Sequence, residues 1–139
     1  MKTLEIDSET EKYDAWNERK KAIEFSNAPR FYFPHEGEVW MSSFGKNVGF
    51  EQDGAGNNFV RPVLIVKEFN HRMFWGTPLS TKQKRYDFYH NMTDPYGRPI
   101  SVILAQLRLI SEKRLQRKLY DFPDDALLEI RTKLRCFLS

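Results

Sequence analysis

The sequence predicts a mainly β domain with helices packed on it, an α+β fold. Residues 63–66 form an uninterrupted apolar run rich in β-branched side chains, and a second apolar run at residues 73–75 follows after a short polar turn. Two such runs joined by a short turn favour an antiparallel hairpin. Near the carboxyl end, apolar residues recur at intervals of three and four over residues 127–137, which predicts an amphipathic helix. A chain of 139 residues is long enough for one such domain with its own core.

Residues 1–35 are predicted to form a helical extension, and residues 36–139 the folded domain. Ser8 has a glutamate three residues later, the spacing of a capping box, and an apolar stripe around Trp16 predicts a helix over residues 8–26. The extension has a net charge of −1 and the remainder one of +4. We expect the helix to pack on the domain rather than to cover a functional face, so its removal should leave the function measurable.

The other predicted elements follow the same signals. Strands are expected at residues 38–44 and 100–104, with residues 106–110 continuing the latter or starting another. A long loop over residues 45–59 is rich in glycine and asparagine. Ser111 is expected to cap a short helix at residues 112–119, and the last helix should begin at about Asp121.

Composition argues against several classes of protein. No apolar run approaches the length of a membrane span, and the amino-terminal residues lack the apolar core of a signal peptide, so a cytoplasmic protein is expected. One cysteine, Cys136, cannot form an internal disulfide, and the three histidines lack ligand-like spacing. Phosphate-binding-loop, dinucleotide and nucleophile-elbow motifs are absent as well. No cofactor or metal is therefore expected.

The chemistry-bearing residues lie where the two central strands end. Arg61 stands at the start of one strand, and Ser80 and Thr81 stand at the end of the next. If these strands pair antiparallel, the two ends meet. Neighbouring side chains on a strand point to opposite faces, so only one hydroxyl should face Arg61, and we favour Ser80. A guanidinium that faces a hydroxyl beside a glycine-rich loop suits a phosphate group.

A basic and aromatic segment follows these strand ends. Lys82, Lys84 and Arg85 precede a Tyr/Phe/Tyr run that is expected to be a strand. Cations interleaved with aromatic rings suit single-stranded RNA, because the charges follow phosphates and the rings stack on bases. The alternative is a solvated turn that leads into core aromatics, with Phe88 in the core.

Five short motifs occur in order within residues 36–119: GEVW at 37–40, GFEQ at 49–52, RPVLIV at 61–66, PLST at 78–81 and SVILAQLR at 101–108. These ordered motifs resemble those of the MazF/PemK toxins of bacterial toxin–antitoxin systems. The resemblance implies a small SH3-like barrel with a carboxyl-terminal helix. It also implies a homodimeric, metal-independent endoribonuclease, a growth-inhibiting toxin that cleaves single-stranded RNA or mRNA and binds a cognate antitoxin protein.

The resemblance also assigns roles to residues. Arg61 and Ser80 match the catalytic positions, with serine here where the family usually has threonine. The expected RNA-binding residues are Glu51, Gln52, Thr81, Lys82, Lys84, Arg85, Gln106 and Arg108. Glu51 and His90 are the candidates for a proton acceptor in the attack of the ribose 2′-hydroxyl.

Other interpretations remain open at the level of sequence. Arg61 could be a surface arginine paired with Glu51 or Asp53, and Ser80 could cap a turn. The chain could be a gyrase-inhibiting toxin of the related CcdB type, which acts through protein binding. A non-catalytic barrel that binds nucleic acid or protein is a third reading, because small barrels host many functions.

Overall fold

Seven antiparallel strands and two helices make up the fold in the computed structural model, which describes residues 2–26, 32–56 and 59–139. The elements are α1 (Lys2–Glu24), β1 (Glu38–Ser43), β2 (Val60–Glu68), β3 (Met73–Ser80), β4 (Tyr89–Thr93), β5 (Pro99–Ile103), β6 (Arg108–Ser111), β7 (Leu115–Asp121) and α2 (Asp124–Phe137). The strands form one sheet in the order β4-β5-β3-β2-β1-β7, and β6 pairs with β3. The predicted fold, a mainly β barrel-like domain with a helix at each end, is confirmed.

β2 lies at the centre of the sheet and is buried on both faces. Leu64 and Val66 belong to one apolar cluster, whereas Val63 and Ile65 belong to another. Because side chains alternate along a strand, four consecutive apolar residues can fill two separate cores. This explains why the run at residues 63–66 shows no alternation.

β3 joins the two parts of the sheet. Its first half pairs with β6 and its end pairs with β5, while its length runs alongside β2. Gly76 allows this close packing, since a Cβ atom there would lie 2.6 Å from Val63 and 2.8 Å from Ile110. The end of β3 pairs with β5 through Leu79–Val102 and Ser80–Ser101, which holds Ser80 in a defined position.

The carboxyl-terminal helix packs on the first cluster as predicted. Leu127 and Ile130 are buried in the same cluster as Val39 and Leu64. The helix begins at Asp124, three residues later than the sequence predicts, because β7 continues to Asp121.

The predicted helix at residues 112–119 is wrong. Ser111 does cap, since its Oγ accepts from the Lys113 amide over 3.2 Å, but only a single 3₁₀ turn follows. β7 then begins at Leu115 and pairs antiparallel with β1. The free edge of β1 supplies backbone partners that the local sequence does not reveal, and this tertiary pairing overrides helix propensity.

The start of the extension helix also differs from the prediction. α1 begins at Lys2, so Ser8 lies inside the helix and is not its cap. Trp16 is buried at 7% exposure, whereas Tyr13, on the same predicted stripe, is 42% exposed. The helix therefore packs on the domain through one large side chain. Among the described residues, no helix is both long and apolar enough to cross a membrane.

Candidate functional site

An open cavity of about 610 Å³ lies at the ends of β2 and β3. Its polar lining consists of Gln52, Arg61, Ser80, Thr81, Lys82, Lys84, Tyr89, Asp94, Arg98, Arg117 and Tyr120. Six of the predicted site residues therefore line the same cavity. The lining is rich in cations and hydroxyls, which suits an anionic ligand.

Arg61 is held at the cavity by backbone carbonyls. The β2–β3 pairing ends at Val63–Pro78, two residues from Arg61 on one strand and two residues before the end of β3 on the other, and Arg61 and Ser80 both line the cavity beyond that pair. The Nε of Arg61 donates to the carbonyl of Asp53 over 2.6 Å, and Nη1 donates to the carbonyl of Leu79 over 3.0 Å. A guanidinium has five N–H donors, so three remain for a ligand.

The charge of Arg61 is not neutralised by either predicted partner. The Asp53 carboxylate binds Lys46 Nζ over 3.0 Å, and Glu51 Oε1 accepts from the Val48 amide over 3.1 Å. No carboxylate in the described part of the chain forms an ion pair with Arg61. Burial lowers the pKa of Arg61, and the nearby Asp53 and Tyr89 oppose that shift. Because arginine is not deprotonated in proteins, the site holds a half-buried cation.

Ser80 and Thr81 both line the cavity, which the sequence does not predict. Ser80 is the last residue of β3, so strand alternation no longer governs Thr81. The Oγ of Ser80 accepts from the Lys82 amide over 3.1 Å. The serine therefore does cap a turn, and its hydroxyl proton is still available to donate to a ligand.

The basic segment after β3 is a loop, since β4 begins only at Tyr89. Lys82 and Lys84 line the cavity, whereas Arg85 is exposed and does not line it. Phe88, predicted to be in the core, is only half-buried and stacks on Tyr86 with ring centroids 5.0 Å apart. The lysines on this loop can approach phosphates from the open side.

A second groove adjoins the cavity at Gln52, which lines both. The groove holds the other predicted RNA-binding residues, Glu51, Gln106 and Arg108. Gln106 Nε2 donates to the carbonyl of Phe50 over 3.1 Å, and its Oε1 lies 3.5 Å from the Gln52 amide. Gln106 thus ties the long loop to the turn before β6. The Phe50 ring at this edge is fully exposed, which suits stacking on a base.

His90 is not placed to accept a proton in the cavity, so that prediction is wrong. Tyr89 lines the cavity, and alternation along β4 turns His90 to the opposite side. There His90 is 5% exposed, and its Nδ1 lies 2.9 Å from Lys133 Nζ on α2. Burial, followed by the charge of Lys133, lowers the pKa of His90.

Three aromatic or cationic residues of the cavity were missed by the sequence reasoning: Arg98, Arg117 and Tyr120. The Nε of Arg98 donates to the buried Asp94 carboxylate over 2.9 Å, which holds this side chain at the wall. Burial raises the pKa of Tyr120 to about 12, so its hydroxyl stays protonated. Arg117 and Tyr120 lie on β7, which the sequence reasoning took in part for a helix.

The described residues contain no group of three or more histidine, cysteine or acidic side chains that could hold a metal ion. The arrangement that is present is a half-buried guanidinium that shares an open cavity with hydroxyl groups and further cations. Such a set can bind a phosphodiester and stabilise extra negative charge on it.

Comparison with known proteins identifies a family. The family described as PemK-like, MazF-like toxin of type II toxin-antitoxin systems matches residues 35–138. No curated protein matches the chain significantly. A MazF structure from Deinococcus radiodurans is similar with a TM-score of 0.60 and 24% identity, covering 77% of this chain and 97% of that one. A MazE–MazF structure from the same organism gives 0.60 and 25%, covering 77% and 96%. Since the family match spans most of its length, the chain belongs to the PemK-like, MazF-like toxin family of type II toxin–antitoxin systems.

Proposed function

We propose that this chain is a metal-independent endoribonuclease that cleaves single-stranded RNA at the cavity between Arg61 and Ser80. The observation that carries the proposal is the Arg61 guanidinium. It is half-buried, it is held by two backbone carbonyls, and it has no acidic partner among the described residues. A cation fixed in this way is preorganised for charge that develops on a phosphate.

In the proposed reaction, the ribose 2′-oxygen attacks the adjacent phosphorus in line and the bond to the 5′-oxygen breaks. The products are a 2′,3′-cyclic phosphate and a 5′-hydroxyl. Arg61 binds the non-bridging oxygens through its fork of N–H donors. The Ser80 hydroxyl donates to a non-bridging oxygen or to the leaving 5′-oxygen. Glu51 lies in the adjacent groove, so solvent in the open cavity takes the proton of the 2′-hydroxyl and returns a proton to the leaving 5′-oxygen.

RNA is proposed to run from the cavity into the adjacent groove. Lys82, Lys84 and Arg117 line the same cavity as Arg61 and suit the phosphates on either side of the cleaved bond. The groove continues past Gln52 to the exposed ring of Phe50, where a base can stack. Single-stranded RNA can bind the cationic cavity through its phosphates and the groove through a base, because its bases are free to turn away from its backbone.

Two protein partners are part of the proposal. The D. radiodurans structures include MazE–MazF assemblies. For this chain we propose a separate antitoxin with an acidic, extended segment that occupies the cationic cavity. We also propose a homodimer acting on mRNA in the cytoplasm. Exposed apolar side chains at Trp75, Phe137 and Leu138 offer a surface for it, and light scattering at micromolar concentration would test it.

The experiment incubates the purified chain with a long RNA in the presence of a chelator and maps the new ends. We expect internal cuts that leave a 2′,3′-cyclic phosphate and a 5′-hydroxyl. A requirement for Mg²⁺, or ends with a 5′-phosphate, would contradict the proposed mechanism. Intact RNA together with inhibited DNA supercoiling would indicate a gyrase-inhibiting toxin instead.

A further inference from the structure

The extension helix α1 lies outside the residues that match the family, which begin at residue 35. It packs against the loop that joins β1 to β2 and borders the cavity. Trp16 is the anchor, with its ring centroid 5.7 Å from that of Phe59. Gly45 makes room for this ring, since a Cβ atom there would lie 2.4 Å from Trp16. The φ angle of Gly45 is +97°, which also favours glycine.

Polar contacts extend this packing along the loop. The hydroxyl of Tyr13 donates to the carbonyl of Asn47 over 2.8 Å. Lys46 Nζ lies 3.1 Å from Glu9 on α1 and 3.0 Å from Asp53 on the loop. At the other end of the helix, Lys113 Nζ donates to the carbonyl of Glu24 over 2.7 Å. The helix therefore contacts the loop through Glu9, Tyr13 and Trp16 and is attached again at its carboxyl end through Glu24.

The same loop residues lead to the functional site. The Asn47 side chain donates to the carbonyl of Gln52 over 2.6 Å, and its amide donates to the Asp53 carboxylate. The Asp53 carbonyl then accepts from Arg61 Nε over 2.6 Å. Each step from α1 to the guanidinium is a direct contact. Gln52, which lines both the cavity and the groove, is held by the same asparagine.

α1 does not cover the cavity. None of the described residues of α1 lines it, and the helix touches the loop at residues that do not line it either. A lid would have to place side chains over Arg61. The contacts instead fit an element that supports the loop from outside and leaves the cavity open.

We propose that α1 is a built-in brace that holds the β1–β2 loop, and through Asp53 the Arg61 guanidinium, in the arrangement needed to bind a phosphodiester. Trp16 and Tyr13 are positioning residues and do not touch the substrate. A loop ordered in advance loses less conformational freedom when RNA binds, which strengthens binding and speeds the reaction. The catalytic part of this inference rests on the proposed function, whereas the ordering of the loop does not.

The test measures hydrogen exchange of backbone amides in Trp16→Ala, with Ala15→Ser on the exposed side of the same turn as the matched control. The amides of Asn47, Gly54 and Ala55 are hydrogen-bonded within the loop and report on its order. We expect their exchange to rise by at least ~tenfold in Trp16→Ala while β2 amides stay protected, and Ala15→Ser to match the parent. If Trp16 only stabilised the fold as a whole, exchange would rise in all regions of the protein together.

Tyr13→Phe keeps the exposed ring and removes one hydrogen bond. It is therefore the variant that tests the proposal if Trp16→Ala does not fold. We expect loop exchange to rise ~fivefold in Tyr13→Phe, the scale of one such bond. Single-turnover kinetics on one RNA should show weaker binding and a lower maximal rate in both variants. Unchanged loop exchange in every folded variant would overturn the brace. If the parent cleaves no RNA, the proposed function fails, and the exchange result still decides the brace.

Discussion

The Nε of Arg61 donates to the backbone carbonyl of Asp53 over 2.6 Å, while the carboxylate of the same aspartate binds Lys46. One residue thus orients the guanidinium without neutralising it. A neutral carbonyl fixes the direction of the N–H donors, and the positive charge stays available to a phosphate. The same contact joins the long loop to the strand that carries Arg61.

Ser80 is expected to matter more than Thr81. Ser80→Ala removes a hydroxyl that lines the cavity together with Arg61 and should slow cleavage by up to ~100-fold, the scale of losing one preorganised donor. Ser80→Thr should be at least as active as the parent, because the added methyl restricts the side-chain rotamers and preorganises the hydroxyl. Single-turnover rates on one RNA measure both changes.

Thr81→Ala is the matched comparison for Ser80→Ala. Thr81 lies beyond the end of β3 and is exposed, so its loss should change the rate by less than ~threefold, within the usual effect of a surface substitution. A strong loss in Thr81→Ala with a mild effect in Ser80→Ala would show that the wrong hydroxyl has been paired with Arg61.

Arg117 on β7 is expected to bind an RNA phosphate. Arg117→Gln should weaken binding to all single-stranded sequences alike and reduce the salt dependence of log K by ~0.7, the contribution of one phosphate contact. Binding titrations at several salt concentrations measure the slope. Arg72→Gln, in the exposed β2–β3 turn away from the cavity, is the control and should keep the parent slope. Equal slopes for Arg117→Gln and the parent would remove Arg117 from the interface.

His90 should make stability depend on pH. Its pKa is lowered in the folded protein by burial and by Lys133, so the unfolded chain binds more protons below about pH 6.5. The free energy of unfolding should therefore fall as the pH drops from about 6.5 toward the lower pKa of the folded state. Denaturant midpoints across this range measure the effect.

His90→Asn keeps an acceptor near the position of Nδ1 and does not titrate, so it should flatten this part of the pH dependence. His71→Asn, in the exposed β2–β3 turn, should leave the profile of the parent in place. If the free energy of unfolding of His90→Asn depended on pH as steeply as that of the parent, His90 would not be the titrating group.

Removal of α1 remains the sharpest test of the extension as a whole. A chain that lacks residues 1–26 should still cleave RNA, because none of the described residues of α1 lines the cavity. The rate should be lower than in the full chain, since the loop loses Trp16 and Tyr13. A folded truncation without any cleavage would place α1 in the catalytic machinery itself.

Local patterns predicted the central hairpin and the position of Arg61 well. The apolar run at residues 63–66 and the short turn after it fix β2 and β3, and their antiparallel pairing brings Arg61 and Ser80 to the same cavity. Both features depend on residues close together in the chain, which is why sequence reasoning could reach them.

Contacts between distant segments could not be read from the sequence in the same way. β7 forms because β1 offers a free edge, so the helix predicted at residues 112–119 hid Arg117 from the site. The direction of His90 depends on where β4 begins after an irregular loop, and a shift of one residue reverses its face. Trp16 and Gly45 lie far apart in the chain, so no local sequence pattern predicts the contact between them.

The rate of Arg61→Ala on a single-stranded RNA, measured under single-turnover conditions in the presence of a chelator, tests the central claim most directly. The variant keeps the buried strand and removes the half-buried cation of the cavity. We predict a folded protein that cleaves at least ~100-fold more slowly than the parent, as expected for the loss of a preorganised group that stabilises charge. An Arg61→Ala variant that cleaves at the full rate of the parent would contradict the account.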